Sequence, residues 1–472
     1  MQLHKKQQHA RNILDTDRIG PLLVKLAMPA FLGMFVQSFY NVINTIFMGQ
    51  FVDELAIAGL SIVFPLQMIM YSVAMLMGMG GASLISRFIG SREEARAERT
   101  LGNGISTGLF LGLIFMLAIL PFATYWLKLI GATDEVMPYA RPYLIIIIAA
   151  TVPNVFAMTL LTYVRAEGNT RVGMIAMMVG AVLSIILDII FVPVLHWGIV
   201  GAGLATVIAQ VFSLGYLLSY YLSGSSYLRI RLQNLKPDFS IIKPMLSIGV
   251  AGFLQTAAGS LSSILMINMV IRWGGDPALE AYGIVQRLSM FAGMPAIVMG
   301  QSLQPILGYN YGAKRFNLGL RALSRAALFG TGAVFVTTTI LYLIPGPIIS
   351  IFSPNRALID LGIHVSRLFF LSMPLMGMIM VGQTIFQALG KAWPAFVTAL
   401  VRPVVFLVPV LLLMSHLWRL DGVFLSVPTS DLLTFFLIAG LAAPVIYMLR
   451  KKAAVEKLET REAATAKVVT TI

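Results

Sequence analysis

From one end of the chain to the other, apolar residues come in long runs separated by short polar breaks. Each run reaches the roughly eighteen residues that, as a helix, cross a hydrocarbon core about 30 Å thick. Reading the runs between breaks predicts about twelve helical spans. They fall near 22–46, 55–86, 100–123, 143–162, 172–194, 199–222, 244–271, 281–307, 322–344, 362–386, 394–414 and 422–448. The pattern is that of an all-α polytopic membrane protein. The stretch before the first run, MQLHKKQQHARNILDTDR, is polar, and no small-residue cleavage site follows that run, so a removable signal peptide is not expected.

The polar breaks are not alike. Alternate ones, together with both termini, are basic: the N-terminus, 87–99, 163–171, 223–243, 308–325, the turn at Lys391 and the tail carry 25 of the 34 lysines and arginines. The opposite breaks carry Lys128, Arg141, Arg272, Arg356 and Arg419. By the positive-inside rule this places both termini in the cytoplasm and makes the number of spans even. A multi-pass protein of the cell (inner) membrane is expected. The formal net charge of +14 is therefore a topological signal rather than a nucleic-acid footprint, and no nucleic-acid partner is expected.

The chain also repeats itself. YVRAEGNTRVG (163–173) recurs as IFQALGKAWPA (385–395), HWGIVGAGLA (196–205) as LWRLDGVFLS (417–426), and SLISRFIGSREEA (83–95), more loosely, as PILGYNYGAKRFN (305–317). The offset stays near 221 residues. This predicts two pseudo-symmetric six-helix lobes, 1–222 and 244–448, joined by a cytoplasmic loop, 223–243, and followed by a cytoplasmic tail, 449–472. Two halves entering from the same side form a parallel repeat around a central cavity, a design that alternating access requires and a receptor or anchor does not.

Composition narrows the chemistry. With 58% hydrophobic and 11% charged residues and no cysteine, disulfides and thiolate metal sites are excluded. No HExxH, GxSxG or metal-ligand cluster occurs, and GYNYGAKR (308–315) lacks the spacing and final Ser/Thr of a phosphate-binding loop. An enzyme is not expected, nor any cofactor beyond a coupling ion. GMGGAS (78–83) reads as close helix packing. The methionines cluster at 68–80 and 373–380, which suits either an adaptable binding surface or lipid-facing filler.

Within the spans, polar residues are few enough to weigh singly. Of twenty Asp and Glu, only Asp188 and Asp431 fall well inside predicted helices. An aspartate at mid-span costs about 2.5–3.5 kcal/mol on insertion scales, so it faces a cavity or a partner. Arg287 and Arg402 are the buried cations that could pair with such an acid. Both belong to the second half, as does Asp431, whereas neither lies in the first half with Asp188. Asp188 is accordingly read as an exchangeable carboxylate, and Asp431 as one end of a structural or gating ion pair. The first span carries Gln37, Tyr40, Asn41 and Asn44 on one face. Such a stripe either lines a substrate cavity or bonds to neighbouring helices, and Asn154 is a further candidate of the same kind. Pro29 interrupts the first span and permits a kink there.

QSLQPILGYNYGAKRF (301–316), FMGQF (47–51), LDIIFVP (187–193), LVKLAMPAFLGMFVQSFYNVINTIFMG (23–49), GIVGAGLAT (198–206) and RAEGNTR (165–171) together resemble the multidrug and toxic compound extrusion (MATE) family, over essentially the whole chain and nearest its bacterial drug-efflux branch. The resemblance implies twelve helices in two lobes and export of amphipathic, often cationic compounds by proton or sodium antiport. It implies a cation site in the first lobe, with Asp188 as the fifth-span carboxylate and Thr206 as the sixth-span hydroxyl. Asn44 stands where the family has a first-span aspartate, and Ser184 where it has an asparagine. The family's acids in spans seven and ten have no counterpart in 262–271 or 375–387. One carboxylate flanked by Asn44, Ser184 and Thr206 makes a thin sodium shell, which favours H+ over Na+. In the family, bending of the first helix at a proline placed like Pro29 is tied to protonation. The expected partners are a small amphipathic organic substrate, which would meet Gln37, Tyr40, Asn41, Asn154 and Asp188, and membrane lipid; a monomer is expected. The rival reading is a flippase for a lipid-linked or amphipathic metabolite.

Overall fold

In the computed structural model the described residues are 13–471 apart from 53, 353 and 354; the side chains of Asn41 and several of its neighbours also lie outside the description. Among the described residues the secondary structure is helical throughout. Nine helices among the described residues are long and apolar enough to cross a membrane, and a tenth crossing is the pair Met137–Ala149 and Thr151–Ala166, bent by 54°. Two of these helices are too long to be single crossings: 74 residues, Phe239–Gly312, would extend about 110 Å. That helix breaks at Gly275 (φ 65°, ψ −161°), and Leu407–Thr471 breaks at Trp418 and Arg419. Each contributes two crossings, which brings the total to the expected twelve.

The repeat is written in the backbone as well as in the letters. Left-handed residues occur in matched positions: Arg92 (φ 65°) with Lys314 (φ 59°), Gly168 (φ 86°) with Gly390 (φ 72°), and Gly198 (φ 55°) with Arg419 (φ 50°). Each pair is separated by the offset of the sequence repeat, to within a residue. Asn169 and Lys391, directly after the paired glycines, enter the next helix with similar dihedrals. A positive φ costs a side-chain-bearing residue on the order of 1–3 kcal/mol, so its presence at Arg92, Lys314 and Arg419 marks turns that the helix geometry demands.

Two compact units divide the described chain. The first comprises 28–85 and 94–260, the second 14–27, 86–93 and 261–472. The first is built on Val63, Leu66, Met70, Leu127, Leu144, Ile147, Val192 and Ala202, all buried. There the backbones of Glu54–Gly90 and the opening of Phe239–Gly312 touch: a Cβ on Gly80 would lie 2.0 Å from the Met245 carbonyl oxygen. Gly80 therefore serves close packing, as small residues do between membrane helices. In the second unit Val270, Val285, Val334, Phe370 and Phe424 form the core. Large apolar side chains also point outward, among them Phe110 at 62% exposure and Leu328 at 68%. In water such a surface would aggregate; against lipid chains it is the expected exterior.

Candidate functional site

The fifth span begins with Thr170–Ile189, a strongly apolar helix in which two buried polar residues, Ser184 and Asp188, stand one turn apart. It ends in a π-helical turn, Ile190–Val194, containing Pro193. Asp188 is fully buried. Opposite it the first span, helical from Ile19 to Phe51 and running through Pro29, presents Tyr40 and Asn44, again one turn apart.

The hydrogen bonds among these groups run in one direction. The Asn44 amide donates one N–H to Asp188 Oδ2 (3.3 Å) and another to the Tyr40 hydroxyl (2.9 Å). Tyr40 and Thr206 lie 2.9 Å apart, oxygen to oxygen. Thr206 has a single hydroxyl proton, which it donates to the Ala202 carbonyl (3.0 Å). Tyr40 must then donate to Thr206 and accept from Asn44. Ser184 lies against the Tyr40 hydroxyl rather than against Asp188. The second carboxylate oxygen, Asp188 Oδ1, is buried without a donor among the described residues. A carboxylate so placed has one neutral hydrogen bond and no ion pair among the described residues, while an ionised carboxylate in a dry setting is stable only when paired and fully bonded. A proton or a monovalent cation at Oδ1 would complete it.

Tyr40 is thus the hub of the node. The stripe on the first span left open whether it lines a cavity or bonds to a neighbouring helix, because nothing local shows that its hydroxyl meets Thr206, 166 residues away in sequence. Of the other expected residues, Gln37 is half-buried one turn before Tyr40, and the Asn41 side chain lies outside the described residues. Asn154 is brought not to Asp188 but to Gln210, whose side-chain oxygen accepts from it at 2.8 Å. Gln67 donates to the buried Tyr143 hydroxyl (3.4 Å), adding a polar pair from the second and fourth spans that the sequence did not single out.

In the second unit Asp431 is also buried, with 2% exposure, but its surroundings differ. Arg402 Nε donates to its Oδ1 (2.7 Å) and Ser372 Oγ to its Oδ2 (2.8 Å). Arg287, the other candidate cation, is exposed on its own helix and does not take this pair. A third buried acid was missed. Glu167, at the end of Thr151–Ala166, is 2% exposed and accepts from Ser226 Oγ (2.7 Å), the Tyr227 backbone N–H (3.2 Å) and the Tyr220 hydroxyl (3.3 Å). Burial pushes its carboxyl up to about 7, against these hydrogen bonds, which pull it down. The acid sits in a loop otherwise read for its basic charge, and only folding reveals that it anchors the start of the 223–243 segment.

These features define a polytopic helical membrane protein of the transporter class, with a buried intramembrane carboxylate in each half, ion-paired in the second and not, among the described residues, in the first. The MatE family profile matches residues 29–190 and 253–413, one stretch in each repeat. Multidrug export protein MepA of Staphylococcus aureus (strain MRSA252) is 25% identical over 93% of this chain and 96% of its own. The solved MATE multidrug transporter DinF-BH is 36% identical, covers 92% of this chain and 98% of its own, and superposes with a TM-score of 0.84. A structure described as MATE in the straight conformation shares the fold at a TM-score of 0.88, with 24% identity over 94% of this chain and 99% of its own. The chain belongs to the MatE family and is a multi-pass membrane protein of the multidrug-efflux transporter class.

Proposed function

We propose that this protein exports amphipathic, cationic organic compounds in exchange for a cation, with protons favoured over sodium. The observation that carries the reading is the half-satisfied Asp188: a buried carboxylate with one neutral donor and a second oxygen that meets no donor among the described residues. Such a group suits alternate occupation by a proton and by a cationic substrate, and mutual exclusion at one carboxylate is a reciprocal coupling free energy between the two ligands. Asn44 supports the proton in particular. It turns its N–H groups, not its oxygen, toward Asp188 and Tyr40, so that among the described residues one carboxylate and neutral hydroxyls would have to supply a sodium shell. Protonation would neutralise Asp188, weaken its tie to Asn44 and release the first helix to rearrange, with Pro29 as the position where the backbone hydrogen-bond ladder is already broken. Gln37, Tyr40, Asn41 and Asn154 would line the substrate's path.

The protein acts without chemical conversion of its substrate, as a monomer in the cell membrane with both termini cytoplasmic, and its only other partner is lipid. The test is export of a fluorescent cation from proteoliposomes under a pH gradient and, separately, a sodium gradient, with Asp188→Asn alongside. Export driven by the pH gradient and lost in Asp188→Asn is the expected result. Unchanged export in the variant would remove Asp188 from the mechanism. Absence of export under either gradient would bring a flippase forward.

A further inference from the structure

The second unit holds a polar node that the efflux reading does not use. The eleventh span is α-helical over Ala392–Leu400, π-helical over Val401–Phe406, and α-helical again from Leu407. The π turn loosens the ladder, and two of its carbonyls are taken up by serines from neighbouring helices. Ser262 Oγ donates to the Pro403 carbonyl (2.5 Å) and Ser430 Oγ to that of Arg402 (3.3 Å). The Arg402 side chain meets Asp431, which Ser372 also holds. Four helices therefore cooperate to fix the position and direction of one guanidinium, and π turns of this kind are frequent at functional sites.

The pairing is one-sided. Asp431 is 3% exposed at its side chain, whereas Arg402 is 30% exposed. Only Nε is committed; of the five guanidinium N–H donors, those on Nη1 and Nη2 carry no hydrogen bond among the described residues. A purely structural clamp would use the two-pronged edge against the carboxylate, the stronger geometry. Depth sharpens the point. Arg402 lies ten residues inside its helix and Asp431 eleven residues past Leu420, each about 15 Å from the end of its span, near the middle of a core of about 30 Å. An open guanidinium edge at that depth is tolerable only where it faces water or a ligand, not hydrocarbon.

We propose that the Nη edge of Arg402 is an oxyanion subsite that receives the carboxylate of zwitterionic amphiphiles. Asp431 holds the guanidinium from behind, prevents it from swinging away and sets its fork outward, which is the arrangement that planar bidentate recognition of a carboxylate needs. The protein would then take compounds bearing both charges as well as simple cations. The inference rests on the efflux reading only in treating the occupant as an exported compound.

A matched pair of xanthene dyes tests it: a cationic rhodamine ethyl ester and its hydrolysed free acid, a zwitterion. Equilibrium binding to the purified full-length protein is read by fluorescence anisotropy without any gradient, so that failure of ion coupling leaves the result interpretable. Arg402→Gln alone strands a buried acid and could unfold the protein, so the decisive variant is Arg402→Gln combined with Asp431→Asn, which keeps the node neutral. The expected result is a fall of about tenfold in the ratio of free-acid to ester affinity, the loss of a charge-assisted bond. A ratio unchanged in the double variant, whether both affinities fall together or neither moves, overturns the proposal. Loss of the free acid's binding when anionic phospholipid is added, with the ester's retained, would assign the edge to a lipid headgroup phosphate and likewise overturn the substrate subsite.

Discussion

Asp188 and Asp431 are both buried inside membrane-spanning helices, yet the two units treat them in opposite ways. Asp431 faces a guanidinium and a serine, so that its charge is compensated within the fold. Asp188 faces the amide of Asn44 and nothing charged among the described residues, so that its compensation must come from a ligand. The difference lies in the partners rather than in the acid. An acid with a resident counter-ion is held in one state; an acid with only a neutral donor can exchange a proton or a cation. Burial alone does not separate an exchange site from a structural one, but the charge of the partner does.

The comparison can be broken at either end. The largest effect is expected on transport: Asp188→Asn should reduce gradient-driven export to the background of empty liposomes, whereas Asp431→Asn should leave export responsive to the gradient. Equal loss in both would erase the distinction. Next comes stability. Arg402→Gln should destabilise the protein by about 3–5 kcal/mol, because a buried partner is left uncompensated, and adding Asp431→Asn should restore most of it. Asp188→Asn should show no such loss, and thermal unfolding of the native chain and these variants decides the matter.

A smaller effect concerns the third acid. The Glu167 carboxyl titrates at about 7 in the folded chain against an ordinary 4.5, so the folded form holds its proton more firmly. Its contribution to stability is fully present below pH 4.5 and is lost as pH rises toward 7, on the order of 3 kcal/mol across that window. Unfolding temperatures of the native chain should fall over this range relative to Glu167→Gln, and parallel curves would sink the assignment. The smallest effect is expected at the hub. Tyr40→Phe removes one buried hydroxyl between Asn44 and Thr206, costs about 1–2 kcal/mol, and should shift the pH dependence of export without abolishing it.

How much of this could be read in the letters varies with the range of the interaction. The twelve crossings, the alternation of basic loops and the repeat were all legible, because hydropathy and charge act through neighbours within a turn or a loop. Even the backbone obeyed the repeat, with Gly198 and Arg419 both at positive φ although one is glycine and the other is not. Asp188 announced itself because a charge in an apolar run is costly wherever the run finally packs.

Partnership was another matter. That Arg402 rather than Arg287 would meet Asp431 depended on which helix faces converge. That Thr206 would bond to Tyr40 rather than to Asp188 depended on the same packing. Glu167 read as one more loop residue until residues 220–227 closed over it. The sequence by itself therefore determined that this chain spans the membrane twelve times in two related halves and carries one acid, Asp188, deep in an apolar run of the first. Only the tertiary structure decided what each buried charge touches, because hydrogen bonds reach about 3 Å and partners 29 to 144 residues apart in sequence must first be placed to that tolerance.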